Sequence, residues 1–133
     1  NQAIKQRDFW MPFAPSIRAE SSERYFSDPK GINPQFMTHT FETGAEGRAH
    51  LAAGTHPRDH TIRAQVVREK ANPDYHRLLS AFEKKTGRGG LVNTSFNLHG
   101  EPIVYSPEDA IRVLKKSGLK HLALGHFLLS KNV

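Results

Sequence analysis

Two short patterns carry the residue types from which a site for an anionic ligand can be built, and a third has the spacing of metal ligands. Lys5-x-Arg7 sets two cations two positions apart, and on an extended segment both would lie on one side and reach one phosphate group or neighbouring ones. Taken alone, such a pair is more often surface charge than a ligand contact. Asn93-Thr-Ser-Phe-Asn97, followed by Leu-His-Gly-Glu-Pro102, leads from an apolar stretch into small hydroxyls, an amide and a glycine. At the carboxyl end of a strand, where α/β sheets gather ligands, Ser95 and Asn97 could bond a phosphate, a ribose or an amide. The same residue types also build turns that satisfy only local backbone groups. His56-x-x-x-His60 has the spacing of two metal ligands on a helix, but Pro57 and Asp59 between them argue for a loop, where that spacing has no meaning.

The helices and strands that carry these patterns are written in caps and periodicities. Asn72-Pro-Asp-Tyr75 is a helix start: Asn caps exposed amides, Pro fits the first turn and Asp meets the positive dipole end. Tyr75, Leu78, Leu79 and Phe82 then form one expected buried stripe, and Gly87 ends the helix. Ser106-Pro-Glu-Asp109 opens a second helix running to about Ser117, with Gly118 as its stop. Strands are expected at Gln35 to Phe41, Thr61 to Arg68, Leu91 to Thr94, Ile103 to Tyr105 and His121 to Leu129. Ala19 to Pro34 is turn-rich and reads as a loop, Gly44 to Gly54 is ambiguous, and Phe9, Trp10 and Phe13, set among prolines, read as core rather than as a base-stacking platform. Strands alternating with helices give the α/β class.

Bulk properties bound the rest. The length of 133 residues suits one domain. No apolar run approaches the roughly 20 residues of a membrane span, and no secretory signal pattern is visible, so a cytoplasmic setting is expected. With no cysteine there is no disulfide, thiolate zinc site or cysteine nucleophile. The formal net charge of +6 favours anionic partners such as nucleotides, phosphates or nucleic acid. Two basic clusters, Lys84, Lys85 and Arg88 and then Arg112, Lys115, Lys116 and Lys120, sit near helix ends and read as solvated surface. The chain opens on Asn1 with a dense motif by Lys5, and is expected to be a fragment of a larger enzyme.

The stretch Asn93-Thr-Ser-Phe-Asn-x-x-Gly-Glu-Pro-Ile-Val104, with Ser106-Pro-Glu-Asp-Ala110 behind it, closely resembles the C-terminal domain of the NodU-type carbamoyltransferases, which carbamoylate hydroxyls on antibiotics and nodulation factors. Ile4-Lys-Gln-Arg-Asp-Phe-Trp-Met-Pro-Phe-Ala-Pro15 looks like that family's opening block. Asp59-His-Thr-Ile-Arg-Ala-Gln65 looks like its Asp-Gly-Thr-x-Arg-x-Gln block, and Asn72-Pro-x-Tyr-His-x-Leu-Leu79 like its capped helix. The blocks run in order along nearly the whole chain. Two positions depart from the pattern: Met11 stands where many relatives carry Arg, and His60 replaces the usual Gly.

That domain is in turn similar in fold to the threonylcarbamoyl-adenylate synthases, so the resemblance implies a single YrdC-like α/β domain over 1–133, with a twisted mixed sheet flanked by helices. Their signature is Lys-x-Arg early, an Arg before a capped helix and Ser-x-Asn late, matched here by Lys5 and Arg7, by Arg68, and by Ser95 with Asn97. The resemblance implies that ATP with Mg²⁺, as substrate, and carbamoyl phosphate give carbamoyl adenylate and pyrophosphate, with no cofactor held tightly by this domain. An N-terminal metal-dependent domain of the same polypeptide would pass the carbamoyl group to an acceptor hydroxyl. Lys5, Arg7 and Arg68 would stabilise charge on the phosphates and the leaving pyrophosphate. Ser95, Asn97 and Thr94 would orient phosphates and donor, and Arg63 would either reach the same pocket or pair with a surface acid. No membrane or nucleic-acid partner is expected. The alternative is an RNA-binding or docking module of the same fold, without adenylation activity.

Overall fold

The computed structural model of the chain describes residues 1–8 and 10–131. The backbone falls into two compact units, one made of Asn1–Met11 with Ser95–Val133 and the other of Pro12–Thr94. In chain order the elements are α1 (Gln2–Lys5), β1 (Ala14–Arg18), β2 (Phe41–Glu42), α2 (Ala45–His50), β3 (Thr61–Ile62), β4 (Gln65–Val67), α3 (Pro73–Thr86), β5 (Gly90–Asn93), α4 (Pro107–Lys116), β6 (His121–Leu124) and β7 (Phe127–Ser130). Short 3₁₀ helices occupy Ala19–Arg24 and Ala52–Gly54. Small sheets flanked by helices make the chain mixed α/β, as the alternating patterns imply. Among the described residues no helix is long and apolar enough to cross a membrane.

In the larger unit β1 is the middle strand of a three-stranded sheet, parallel to β4 and antiparallel to β5. Ala14 through Ile17 are all buried, so this strand is covered on both faces and shows no polar alternation. Its register is fastened by side chains as well as backbone. The buried Ser16 Oγ donates to Gln65 Oε1 at 2.7 Å, and Asn93 Nδ2 donates to Ser16 Oγ at 2.8 Å and to Gln65 Oε1 at 3.1 Å, one clasp across all three strands. β2 and β3 pair antiparallel through Phe41 and Ile62. The core joins Ile17, Tyr25, Phe26, Phe41, Leu51, Ile62, Ala64 and Val66.

Helix α3 starts where the cap predicts: Asn72 Oδ1 accepts the Tyr75 N–H at 3.1 Å, and Gly87 closes the helix at φ 74°. Its covered face differs from the expected one. His76 and Leu79 are buried, whereas Leu78 is 56% exposed and Tyr75 and Phe82 are half-buried. The covered line 76, 79 and 83 is partly polar, because His76 Nε2 meets Glu20 at 2.9 Å and Glu83 takes Arg18 at 2.7 Å, Arg24 at 2.8 Å and the Ser21 hydroxyl at 2.8 Å. Ion pairs and hydrogen bonds there replace the apolar contacts that periodicity alone foresees.

Several expected strands are corrected. Of the Gln35 to Phe41 stretch only Phe41 pairs in a strand, which continues to Glu42, and Phe36 is 74% exposed. Thr61 to Arg68 divides into two strands, because Ile62 pairs with Phe41 while Val66 pairs with Ile17 in a different sheet. Ile103 to Tyr105 is not a strand, although Val104 N–H donates to Phe96 O at 3.0 Å. His121 to Leu129 is a hairpin rather than one strand, since Gly125 at φ 58° turns the chain between β6 and β7. Trp10 is 58% exposed and Phe13 half-buried, so Trp10 is not core, and the expectation for Phe9 lies outside the described residues.

In the smaller unit Ser106 and Asp109 form a complete capping box at the start of α4, so its start follows the sequence reading. Ala110, Leu114 and Leu122 are its buried centre, with Phe96, Ile111, Leu119, Leu124 and Leu129 packed around them. Gly118 N–H donates to Ala3 O at 2.6 Å and Gln6 Nε2 to Lys116 O at 3.1 Å, which ties α1 to the end of α4.

Candidate functional site

Lys5 is not on an extended segment. Gln-Ala-Ile-Lys favours a helical turn, Lys5 N–H donates to Asn1 O at 2.9 Å, and the turn stops because Gln6 takes the left-handed φ 53°. The Lys-x-Arg spacing therefore does not align the two cations as a strand would. Instead the Lys5 side chain is buried, at 3% exposure, and its ammonium enters the turn of the late motif. Nζ lies 2.6 Å from Ser95 O, 2.8 Å from Asn97 O, 2.5 Å from Asn97 Oδ1 and 3.3 Å from Ser95 Oγ. The backbone closes on the same place, since His99 N–H donates to Lys5 O at 2.9 Å.

The turn is itself wired. Ser95 Oγ donates to Asn97 Oδ1 at 2.7 Å, and Asn97 Nδ2 donates to Glu101 O at 2.6 Å. All of the Lys5 partners are neutral oxygens, and among the described residues no carboxylate pairs with this ammonium. Its charge is left uncompensated. Burial, and secondarily the charge of Arg7, hold the Lys5 pKa below the ordinary lysine value. Such an arrangement can attract an anion: the exposed Ser95 hydroxyl is the longest of the four contacts and the one a phosphate oxygen can replace.

Of the residues singled out in the sequence, Lys5, Ser95 and Asn97 are thus in direct contact. Arg7 is half-buried in the same unit, its Nε donating to Asn1 Oδ1 at 2.9 Å. Arg68, Arg63 and Thr94 belong to the larger unit, where all three are exposed. Arg68 follows β4, and its carbonyl accepts the Ala71 and Asn72 N–H groups, both at 3.1 Å, just before α3. Its side chain lines a cavity of about 610 Å³ together with Ser22, Asp28, Asn33, Gly44 and Val66. Hydrogen bonds from the Asn33 and Ile32 N–H groups fold the loop at Asp28 and hold its carboxyl below the usual carboxylate range. Arg63 lies between β3 and β4, and Thr94 follows β5.

His60, the departure from Asp-Gly-Thr, is an exposed turn residue at φ 58°, the left-handed region that glycine enters freely. The segment around His56 and His60 is a turn rather than a helix, and among the described residues no three His, Asp or Glu side chains are grouped as metal ligands. Two residues passed over in the sequence matter here. Glu101 supplies the carbonyl that Asn97 uses, and Arg112, read as a solvated helix-end charge, is half-buried and pairs with Glu101 at 2.6 Å and Asp109 at 3.5 Å. Neither periodicity nor capping marks such a pair.

The sequence model of one family, described as Carbamoyltransferase C-terminus, matches residues 1–131. The nodulation protein NolO of Bradyrhizobium diazoefficiens is 39% identical over 132 residues, covering 98% of this chain and 24% of that protein. The 3'-hydroxymethylcephem-O-carbamoyltransferase of Amycolatopsis lactamdurans is 35% identical over 122 residues, covering 92% of the chain and 22% of that protein. An uncharacterized protein of Methanocaldococcus jannaschii is 38% identical over 133 residues, covering 100% of the chain and 21% of that protein. The chain spans about a fifth to a quarter of the length of the curated relatives it matches.

Proposed function

The chain belongs to the carbamoyltransferase C-terminal family, and from that premise we propose that it is the nucleotide-handling domain of an ATP-dependent O-carbamoyltransferase. The domain forms carbamoyl adenylate from carbamoyl phosphate and ATP, for transfer to an acceptor hydroxyl by a further, N-terminal domain of the same polypeptide. Atom balance brings in one water: carbamoyl phosphate yields phosphate and carbamate, a carbamate oxygen bonds to the α-phosphorus of ATP, and pyrophosphate leaves.

The observation that carries this reading is the Lys5 ammonium, buried without a carboxylate partner among the described residues and seated on Ser95 and Asn97. Lys5 thus touches Ser95 and Asn97, 90 and 92 positions later, the residues that the resemblance assigns to phosphate and donor binding. In this reading fixed positive charge stabilises the leaving pyrophosphate, and the protein supplies orientation rather than a covalent nucleophile. Ser95, Asn97 and Thr94 orient the phosphates and donor. Arg7 and Arg68 supply further cations, and the cavity that Arg68 lines is of a size that takes a small ligand or part of a nucleotide. Arg63 is a secondary contact, and Mg²⁺ enters with ATP as part of the substrate.

Titration calorimetry of the folded chain with Mg–ATP, with and without carbamoyl phosphate, tests the reading. Saturable heat that disappears in Lys5→Ala is expected. A folded chain that takes up no nucleotide at millimolar concentration would overturn it.

A further inference from the structure

We propose that Arg112 is a positioning residue for the Lys5 ammonium, acting through Glu101 and Asn97. The inference rests on the reading of Lys5 and Asn97 as ligand-facing groups, and its test is chosen to be separable from that reading.

An unbroken series of contacts leads from one residue to the other. Lys5 Nζ donates to Asn97 Oδ1 at 2.5 Å, Asn97 Nδ2 donates to the Glu101 carbonyl at 2.6 Å, and Arg112 Nη1 donates to the Glu101 carboxylate at 2.6 Å. Arg112 Nη2 reaches Asp109 Oδ1 at 3.5 Å, and Asp109 is fixed by the capping box, its N–H donating to Ser106 Oγ at 3.1 Å. A planar guanidinium can serve both acids at once, which a lysine ammonium on a flexible stem does less well.

The chemistry of an amide makes this series directional. Asn97 has a donor end and an acceptor end, and the Glu101 carbonyl can only accept. While that carbonyl stays in place, the amide nitrogen must face it, so the amide oxygen must face Lys5. Release Glu101, and the amide is free to turn over and present N–H groups to an ammonium that can only donate. The contact would then be lost, and the buried charge would relax toward solvent.

Helix α4 holds the other side as well. Four residues beyond Arg112, about 6 Å along the axis, Lys116 O accepts from Gln6 Nε2 at 3.1 Å, and Gly118 N–H donates to Ala3 O at 2.6 Å. One rigid element thus fixes both the helix that carries Lys5 and the turn that carries Asn97.

The test reads the lysine ammonium directly, by two-dimensional ¹H–¹⁵N spectra of the chain without nucleotide. Lys5, buried and held by several acceptors, is expected to give a slowly exchanging cross-peak, identified by its loss in K5R. In R112Q its hydrogen exchange should accelerate by about fivefold or more, the factor that corresponds to roughly 1 kcal/mol. R112K should restore the signal in part, and K115Q, an exposed neighbour on the same helix, should leave it unchanged. E101Q, which keeps the Glu101 backbone carbonyl but weakens its grip, should behave as R112Q and serves if R112Q does not fold. Unchanged Lys5 exchange in folded R112Q or E101Q, or an equal change in K115Q, overturns the proposal. If the unaltered chain fails to bind Mg–ATP while the ammonium still responds to R112Q, the functional reading falls and the positioning stands.

Discussion

The Lys5 ammonium stands 2.5 Å from the side-chain oxygen of Asn97, its partner 92 positions later in the chain. The bond joins the first helical turn to the motif turn after β5, and a lysine placed there does both structural and electrostatic work. Lys5→Met keeps the length of the apolar stem but removes the charge and its donors. The Ser95 and Asn97 carbonyls then lose their donor, and we expect a loss of about 1–3 kcal/mol in urea unfolding, the range for a buried acceptor left unsatisfied, together with the loss of Mg–ATP binding.

Because burial holds the Lys5 pKa below the ordinary lysine value, the ammonium discharges at a lower pH than an exposed lysine. Nucleotide affinity should therefore fall on the alkaline side before pH reaches about 10.4. For stability the sign is opposite. Within the window between the folded and unfolded pKa values the unfolded chain binds the extra proton, so this group's contribution rises with pH. Calorimetric titrations and urea midpoints between pH 7 and pH 10, compared with Lys5→Met, read both trends.

His60 holds φ 58° without the freedom of glycine. Left-handed backbone costs a non-glycine residue about 1–2 kcal/mol, of which about 0.5–1 returns as the entropy of a more flexible unfolded chain. His60→Gly should raise stability by roughly 0.5–1 kcal/mol, measured as an increase in the denaturant midpoint at unchanged slope. A decrease would mean that the imidazole makes an interaction worth more than the strain.

Ser106→Ala removes the acceptor of the Asp109 N–H and should cost about 1 kcal/mol, read by thermal unfolding. The Tyr105 and Ser106 N–H groups, foremost among its causes, hold the Asp109 carboxyl below the usual range. A carboxylate with a lowered folded pKa stabilises the chain above the ordinary carboxylate range and loses that contribution as pH falls through the folded value, below about pH 4. The Ser106 hydroxyl also contributes to that lowering, so the Ser106→Ala penalty should shrink in acid.

Glu83 is the acceptor that Arg18, Arg24 and Ser21 share, with its side chain only 15% exposed. Glu83→Gln keeps the shape but leaves two guanidiniums without their common counter-charge. A loss of about 1–3 kcal/mol is expected, and a change under 0.5 kcal/mol in urea unfolding would mean that solvent and Glu20 or Glu46 take over.

How much of this was legible in the sequence depends on the range of the interaction. Helix starts were readable because their determinants are local: Asn72 and Ser106 bond to amides three residues on. Strand extents were not, because Ile62 and Val66 are sorted into different sheets by partners that lie far away in the chain. The hairpin after Lys120 turns on Gly125 inside an otherwise apolar run. For the site, the meeting of Lys5 with Ser95 and Asn97 matched the motif pairing that the resemblance supplied, but its geometry did not. Lys-x-Arg suggested two aligned cations, and left-handed Gln6 ends that alignment. Arg112 and Glu101 were invisible because an ion pair 11 positions apart leaves no periodic trace.

The clasp of Ser16, Gln65 and Asn93 bears on how this chain can change over time. Each of these side chains holds the polar atoms of the other two, so replacing one leaves unmatched groups around the buried Ser16, where they are costly. Substitutions at the three positions are therefore coupled: an apolar exchange at one costs less when the other two are exchanged with it. Gln65 and Asn93 stand in two of the blocks through which the chain resembles its family, and the clasp gives both a part in strand alignment, separate from whatever ligand the neighbouring turn receives.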